Sequence, residues 1–524
     1  MKRRLKITAL VLGLLLLLIL ALLAWVLTTE AGLRFAVARL PERMGKVTLK
    51  IEEVRGTIAG GFSAVRVDVD HELTRTVVER GSARVNVWPL LVGRIAVREA
   101  RADVVLIEVK PRPKDRPKMP SKFLPRLLSI GTERAHADLL TVIAPNGRRV
   151  EFSDVNGAGI VGHKSIRIFD SSIVYGLLRG RAIGEVRAAD PIKLRGDATV
   201  HMLIEGQPQW RADANFDGDL DKVPLTAILH EPFRADMKGE LLSLSNNFHW
   251  TGKAQVHNFD LRAFGAGSAL GIITGPLDIG GEMNAFHARG PLLVPGLGFG
   301  AFDVAFDGYY EDQVVHATHY EVTHRATRSH VDGQGTIQTA ENGPKLLLRG
   351  GFTGVRWPLV QRFTAETPQL FSTPEGTYRL EGLWPYSLEA TGDLYVPELD
   401  PMTVAMRGAL HKDHLRIDDL VLDAFGGSAK LAGEARWAPD ESWSLAGPVK
   451  GFNPAELRPG FTGALDFDLA ARGTPFSAET ELDVKVDKLT GKLRGTAASG
   501  SGHIVRRSSD WTFDAVRFRA GNTR

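Results

Sequence analysis

The pattern of apolar and polar positions divides the chain into two different parts. Residues 7–27 form one apolar run in which only Thr8 is polar. A helix of that length spans about 32 Å, which matches a bilayer core of about 30 Å. A short amphipathic helix is predicted over residues 29–44, with Pro41 near its end. Beyond it the apolar period changes to 2, which predicts strands.

Charged residues give the apolar run an orientation. Four bases precede it, and they are Lys2, Arg3, Arg4 and Lys6. The next charge, Glu30, lies beyond the run, so the positive-inside rule predicts a cytoplasmic N-terminus and places everything after residue 29 across the membrane. The anchor residues of this prediction are Leu14, Leu15, Leu16, Leu17, Leu18 and Trp25.

A cleaved signal peptide is the alternative interpretation of this run. Such peptides have an apolar core of about 7–15 residues that ends at a small-x-small cleavage site. Here the core is longer, and Ala24 is followed by the bulky Trp25 and Val26. The sequence therefore favours an uncleaved, single-pass anchor, with Trp25 at the membrane interface.

Strict alternation predicts many strands with one apolar and one polar face. The apolar members of the clearest runs are Val65, Val67, Val69, Val85, Val87, Ile95, Val97, Leu465, Phe467, Leu469, Leu482, Val484 and Val486. Charged or polar residues occupy most of the positions between them. This pattern is typical of a half-buried antiparallel sheet, so we predict a mainly β fold.

The chain divides into four predicted segments. Residues 1–29 are the basic flank and anchor, and residues 30–110 contain the short helix and the start of the sheet. Residues 111–130 are a basic, proline-rich linker with a short helix from Phe123. The linker either contacts anionic headgroups or is a plain solvated connection, and its composition favours the second. Residues 131–524 are predicted as a β repeat region.

Two weak periodicities indicate a repeat of about 80–100 residues in this region. One is a glycine pair that encloses nine residues, found at 196–206, 280–290, 382–392 and 463–473, with apolar even offsets in three of the copies. The other consists of the segments 258–261, 354–357 and 451–454, which follow one another at intervals of 96 and 97 residues.

A long run of strands with one apolar face must cover that face, and the predicted helices are too few to do so. The sheet can close as a packed sandwich, as a barrel, or as an elongated trough. A sandwich or barrel fills with its own side chains. A trough leaves an apolar groove that requires an apolar ligand. Alternation alone does not choose between them.

Composition excludes several function classes. Beyond residue 6 the chain carries 61 basic and 61 acidic residues, so the apparent pI of 9.1 comes largely from the anchor flank. A nucleic-acid partner is not expected, because such binders need a concentrated basic surface. The chain has no cysteine, which excludes disulfides and thiolate chemistry.

Neither a catalytic nor a cofactor site is predicted, and we expect no enzyme activity. Residues 157–162 match GxGxxG, but the strand-like residues after them lack the helix that seats a pyrophosphate, so we predict a turn. His316, His319 and His324 do not converge on one strand face, which predicts solvated histidines and no metal. The acid pair Asp418–Asp419 is interpreted as part of a solvated face.

Four stretches carry a resemblance to a known family. In chain order they are TTEAGL (28–33), VRGTIAGGF (54–62), VWPLLVGRIAV (87–97), and LRIDDLVL (415–422), which leads to Gly433 and Trp437. With the anchor, they resemble the TamB-like proteins, inner-membrane subunits of the translocation and assembly module within the AsmA-like group. The order of the stretches carries the resemblance more than any one of them.

The resemblance implies a periplasm-spanning, taco-like antiparallel β-trough with an apolar interior. Its expected partners are the inner membrane, phospholipids and a TamA-like outer-membrane barrel. TamB-like proteins continue into a C-terminal region that engages the barrel, and this chain stops at Arg524, within a repeat. We therefore expect barrel contact to need a region that is absent here.

Two hypotheses follow from this sequence. The first is a lipid conduit in which the thirteen alternating apolar residues named above face acyl chains. The second is a scaffold or chaperone for outer-membrane or autotransporter proteins, with edge strands offered to clients. An enzyme has no support in the residues.

Overall fold

A computed structural model of the chain is mainly β. It describes residues 2–39, 41, 43–44, 47–72, 74–89, 94–110, 122–126, 128–145, 147, 149–203, 208–244, 247–264, 270–312, 314–338, 340, 343–360, 362–364, 368–397, 399–437, 440–474, 481–507 and 510–521. The basic linker predicted at 111–121 lies outside these residues.

Two helices begin the chain, α1 (Lys2–Thr28) and α2 (Glu30–Arg39). The predicted extension of the second helix to residue 44 is wrong, because Arg43–Met44 already pair as a strand. Pro41 explains the early end, since proline disfavours helical dihedrals in the residue before it and cannot continue the helical hydrogen bonds.

A test of helix length and apolar composition finds no single membrane-spanning helix among the described residues. The two helical segments Leu17–Thr28 and Glu30–Arg39 pass this test together, with a bend of 96° between them.

Thirty strands follow in the described part of the chain. The first thirteen are β1 (Arg43–Met44), β2 (Val47–Thr57), β3 (Gly61–His71), β4 (Thr74–Asn86), β5 (Arg94–Val109), β6 (Ser129–Ile143), β7 (Arg149–Val161), β8 (Ser165–Tyr175), β9 (Leu178–Arg187), β10 (Lys193–Met202), β11 (Trp210–Asp219), β12 (Lys222–Glu231) and β13 (Ala235–Leu242).

The other seventeen strands are β14 (His249–Asp260), β15 (Ile272–Gly281), β16 (Ala285–Val294), β17 (Gly300–Glu311), β18 (Val314–His324), β19 (His330–Gln338), β20 (Lys345–Trp357), β21 (Phe371–Gly382), β22 (Tyr386–Leu394), β23 (Met402–Leu410), β24 (His414–Ala424), β25 (Gly427–Arg436), β26 (Ser442–Phe452), β27 (Gly463–Thr474), β28 (Glu481–Leu493), β29 (Thr496–Arg507) and β30 (Asp510–Ala520).

The chain forms two compact units. The first contains Met1–Leu203, Trp210–Ile228 and Glu240–Phe248. The second contains Ile204–Gln209, Leu229–Gly239 and His249–Arg524. Within the second unit, β14 to β30 pair antiparallel in sequence order, and among its described residues β30 pairs only with β29. The prediction of a mainly β fold with a long, open antiparallel sheet is confirmed.

Among the described strand pairings of the first unit, one is parallel rather than antiparallel. Strands β5 and β6 run parallel, with Arg94 opposite Ser129 and Glu108 opposite Ile143. The short helix predicted from Phe123 to Ile130 is wrong, since β6 begins at Ser129 and the described residues just before it form a bend and a turn.

The repeat indicated by the sequence is visible in the second unit. The segments 258–261, 354–357 and 451–454 fall at the ends of β14, β20 and β26, which are six strands apart. The glycine pairs are less regular, because the pair 280–290 spans the turn between β15 and β16. The structural unit of repetition is therefore a group of six strands.

Candidate functional site

The predicted lipid-facing residues of the second unit lie on two neighbouring strands, β27 and β28. In β27 these are Leu465, Phe467 and Leu469, and in β28 they are Leu482, Val484 and Val486. The register sets Leu469 opposite Val486, Ala471 opposite Val484 and Gly473 opposite Leu482. Directly opposite residues share a sheet face, so Leu469, Leu482, Val484 and Val486 lie on one side, and a register shift between Asp466 and Asp468 separates them from Leu465 and Phe467. Leu465 is only 5 % exposed, and the other five are half-buried.

Aromatic rings lie directly over two glycines of the second unit. An alanine Cβ at Gly376 would lie 2.1 Å from Cζ of Phe352, which shows how closely the ring covers that glycine. Tyr320 covers Gly333 in the same way, with its hydroxyl 2.6 Å from the added Cβ. These glycines are required for the close approach of the rings rather than for backbone freedom.

Two tyrosines place polar groups within the apolar face. The hydroxyls of Tyr320 and Tyr378 hydrogen-bond to each other, and Tyr378 donates to the Asp332 carbonyl oxygen at 3.2 Å. Burial raises the pKa of both phenols, because a buried phenolate would lose its hydration. Both groups therefore stay neutral over the physiological range.

Each unit has an apolar cavity on its sheet. In the second unit, a shallow open pocket of about 370 Å³ is lined by Val331, Phe352, Val355, Phe371, Thr373 and Tyr378. In the first unit, a cavity of 410 Å³ crosses β3 to β7, and many of its lining residues are alanine or glycine. Phe62, Ala64 and Val67 line this cavity and also belong to the cluster around Leu33.

The predicted lipid-facing residues of the first unit differ from one another in burial. Val65 is 47 % exposed, whereas Val67 packs against the cluster around Leu33. Ala64 and Val67 belong to one cluster although they are three residues apart, so the alternation changes phase at Val65. Half-buried positions are Val69, Val85, Ile95 and Val97, and Val87 lies one residue beyond the end of β4.

A backbone irregularity accounts for this change of phase. Glu53 on β2 and Arg80 on β4 flank Val65 and adopt positive φ values of 48° and 50°. A residue in this conformation bends the strand and rotates the side chains that follow, as a β-bulge does. Strict period 2 therefore fails at the middle of these strands.

The opposite face of the sheet carries cross-strand ion pairs. Asp483 accepts from Arg472 at 2.6 Å and pairs with His503 at 2.8 Å, which links β27, β28 and β29. The pKa of Asp483 is lowered chiefly by the hydrogen bond from Arg472 and next by that from His503. Such exposed pairs add little stability, but they identify the face that contacts water.

In the first unit, the carboxylate of Glu185 pairs with three arginines. Arg187 lies 2.9 Å from it, Arg195 3.1 Å and Arg167 3.4 Å, and these arginines come from β9, β10 and β8. Glu185 is buried because these side chains cover it, and its pKa is lowered chiefly by the hydrogen bond from Arg187.

The histidines do not form a metal site. His324 is only 1 % exposed, so the prediction of a solvated histidine is wrong there. Its Nδ1 accepts from the Thr327 backbone N–H, and its Nε2 lies 2.6 Å from the Phe299 carbonyl oxygen. The ring therefore connects the turn at Phe299 to the turn at Thr327. Among the described residues, no group of three or more potential ligands could hold a metal ion.

The other motifs considered in the sequence have structural explanations. Residues 157–161 end β7, and the Gly162 N–H donates to the Ser165 carbonyl oxygen in a turn that leads to another strand. The predicted turn is therefore wrong for residues 157–161, which are strand, and the turn begins only at Gly162. Asp418 pairs with Arg416, and Asp419 pairs with Lys430 at 3.4 Å.

The described anchor side chains are exposed, as expected for residues that have no protein neighbours in this structure. They are Leu14, Leu15, Leu17, Leu18 and Trp25. The side chain of Leu16 lies outside the described part of the helix. The membrane anchor stays a prediction.

These features define a mainly β protein whose strands present one apolar and one ion-paired face. Residues 329–524 match the family model described as TamB, N-terminal domain. The match includes the fourth stretch of the sequence resemblance and ends with the chain, whereas the three earlier stretches precede it. It confirms the resemblance to TamB-like proteins over these residues.

Proposed function

We propose that this protein is a non-catalytic conduit that carries phospholipid acyl chains along its apolar face between the inner and outer membranes. The observation that carries this proposal is the register of β27 and β28, which sets Leu469 opposite Val486 on one apolar side. The TamB match over residues 329–524 supports the same role. The N-terminal helices would hold the protein in the inner membrane, with the sheet in the periplasm.

The driving force for lipid binding would be burial of the acyl chain. Each methylene that leaves water contributes about 0.8 kcal/mol. The apolar face is only partly covered by its own side chains, since Leu482, Val484 and Val486 remain half-buried. No bond is made or broken in such a transfer, so the chain needs no nucleophile, general base or metal.

Photo-crosslinking at adjacent residues tests this proposal. A photoreactive residue at Val484 would lie on the apolar face, whereas one at Lys485 would lie on the ion-paired face of the same strand. Lys485 is a better control than Asp483, because Asp483 holds both Arg472 and His503. We expect phospholipid adducts at Val484, detected by mass spectrometry, and several-fold fewer at Lys485. Equal labelling at the two positions, or none, would refute the conduit.

A second candidate function is a scaffold for the assembly of outer-membrane or autotransporter proteins. The long antiparallel sheet favours it, because an open sheet has edge strands with unpaired backbone groups. An extended client segment could add to such an edge through main-chain hydrogen bonds. A photoreactive residue at Phe513 that captures unfolded barrel proteins in place of lipid would favour this function.

A further inference from the structure

The joint between the two N-terminal helices is closely packed. The Thr29 hydroxyl donates to the Trp25 carbonyl oxygen at 2.7 Å and accepts from the Gly32 N–H at 3.0 Å, which caps α2. Gly32 lies against the end of α1, because an alanine Cβ there would come within 2.3 Å of the Trp25 carbonyl oxygen. The 96° bend is therefore fixed by contacts on both sides.

One face of α2 is attached to the start of the sheet. Leu33 is 3 % exposed and packs with Val54 of β2 and Ala64 of β3. The turn between these strands also reaches α1, since the Ala59 N–H donates to the Leu27 carbonyl oxygen at 2.9 Å. Both helices and the first hairpin thus form one packed group.

The other face of α2 is exposed and carries aromatic and basic groups. Phe35 is 42 % exposed, and its ring meets Trp25 edge to face at 5.7 Å. The Arg39 guanidinium lies 4.7 Å from the centre of the Phe35 ring, and Arg34 pairs with Glu30 on the same surface. Exposed aromatic rings next to arginines are typical of helices that lie in a membrane interface.

We propose that α2 lies in the headgroup layer on the periplasmic side of the membrane and binds anionic phospholipid headgroups through Arg34, Phe35 and Arg39. This inference rests on the proposed anchor. If α1 runs along the membrane normal, a bend of 96° turns α2 into the membrane plane. Anionic lipid complements the two arginines, and the aromatic pair suits the boundary between headgroups and acyl chains.

This position would have a consequence for the sheet. The buried face of α2 holds β2 and β3, so the first strands would begin directly at the membrane surface. The 410 Å³ cavity shares Phe62, Ala64 and Val67 with the core beneath α2. The cavity would therefore be the first apolar space that a lipid meets beyond the headgroup layer.

Depth-dependent fluorescence quenching tests the inference in the full chain, which has no native cysteine to interfere. Single variants Ala38→Cys on α2, Leu18→Cys on α1 and the exposed Ala470→Cys on β27 are labelled with a fluorophore. They are reconstituted in phosphatidylcholine vesicles with and without phosphatidylglycerol. Nitroxide lipids then quench at headgroup depth or at the bilayer centre.

We expect headgroup nitroxides to quench the label at residue 38 well above the label at 470, and deep nitroxides to quench the label at 18. Phosphatidylglycerol should increase the headgroup quenching of the label at residue 38. The double variant Arg34→Gln with Arg39→Gln should lose this increase, because each arginine favours the headgroup-bound state of α2 by about fivefold. Quenching at 18 with none at 38, or no effect of phosphatidylglycerol, overturns the inference and leaves the anchor intact. Absence of quenching at all three sites overturns both.

Discussion

At the scale of single residues, the apolar face holds its polar groups in an uncharged state. Tyr386 is almost completely buried, and its hydroxyl donates to the Pro344 carbonyl oxygen at 2.8 Å. Burial raises the pKa of this phenol to about 12. Together with Tyr320 and Tyr378, it provides hydrogen bonds without introducing a charge into the face.

The raised pKa of Tyr386 makes stability depend on alkaline pH. The unfolded phenol loses its proton near pH 10, whereas the folded one retains it to about pH 12. The free energy of unfolding should therefore fall as the pH rises above about 10, since the folded state then binds more protons. Urea unfolding of the second unit at about pH 9 and about pH 11 measures this loss.

Two tyrosine-to-phenylalanine variants test whether Tyr386 causes the loss of unfolding free energy at alkaline pH. Tyr386→Phe should reduce it, and Tyr395→Phe, which changes an exposed side chain, should leave it unchanged. An alkaline loss in Tyr386→Phe as large as in the unsubstituted chain would contradict the assignment.

At the scale of elements, α2 is held by one buried side chain. Leu33→Ala should destabilise the first hairpin by about 2–4 kcal/mol, because it removes packing against Val54 and Ala64. Phe35→Ala on the exposed side of the same helix is the control and should cost less. Hydrogen exchange of β2 and β3 measures both, and equal effects would show that Leu33 does not hold the helix.

Single elements also show how far the sequence could predict the structure. The face of β28 follows from its alternation, because no register shift falls between Leu482, Val484 and Val486, whereas the register of β27 shifts between Asp466 and Asp468. Val65 and Val67 do not share one buried face despite their spacing of two, since Glu53 and Arg80 on the neighbouring strands have positive φ values there. The burial of His324 was also missed, because its partners Phe299 and Thr327 meet it only after turns bring them together.

At the scale of the whole molecule, each strand pairs with its neighbours in sequence, so a destabilising substitution should affect only nearby strands. Gly376→Ala should cost about 1–3 kcal/mol or more, because the new methyl group overlaps Phe352 and the Thr391 carbonyl oxygen. Hydrogen exchange should accelerate in β20 to β22 and stay unchanged in β2 to β5, as expected when each strand contacts only its neighbours.

Gly351→Ala is the matched control on the same sheet. Its new methyl group would meet the Gly376 carbonyl oxygen at 3.5 Å, an ordinary contact, so exchange should change little. Faster exchange in both units of Gly376→Ala would show that the chain unfolds as one cooperative body instead.

The parallel pairing of β5 and β6 sets a minimum length for the chain segment that connects them. After β5 the chain must return to the level of Ser129, and the fourteen steps from Glu108 back to Arg94 span about 46 Å along a straight strand. Phe123 is already held at that end by its N–H donating to the His163 carbonyl oxygen at 2.8 Å. The thirteen steps from Lys110 to Phe123 reach at most about 47 Å. The distance between Lys110 and Phe123 therefore cannot exceed that reach, so shortening the chain between them should weaken either the end of β5 or the hydrogen bond of Phe123.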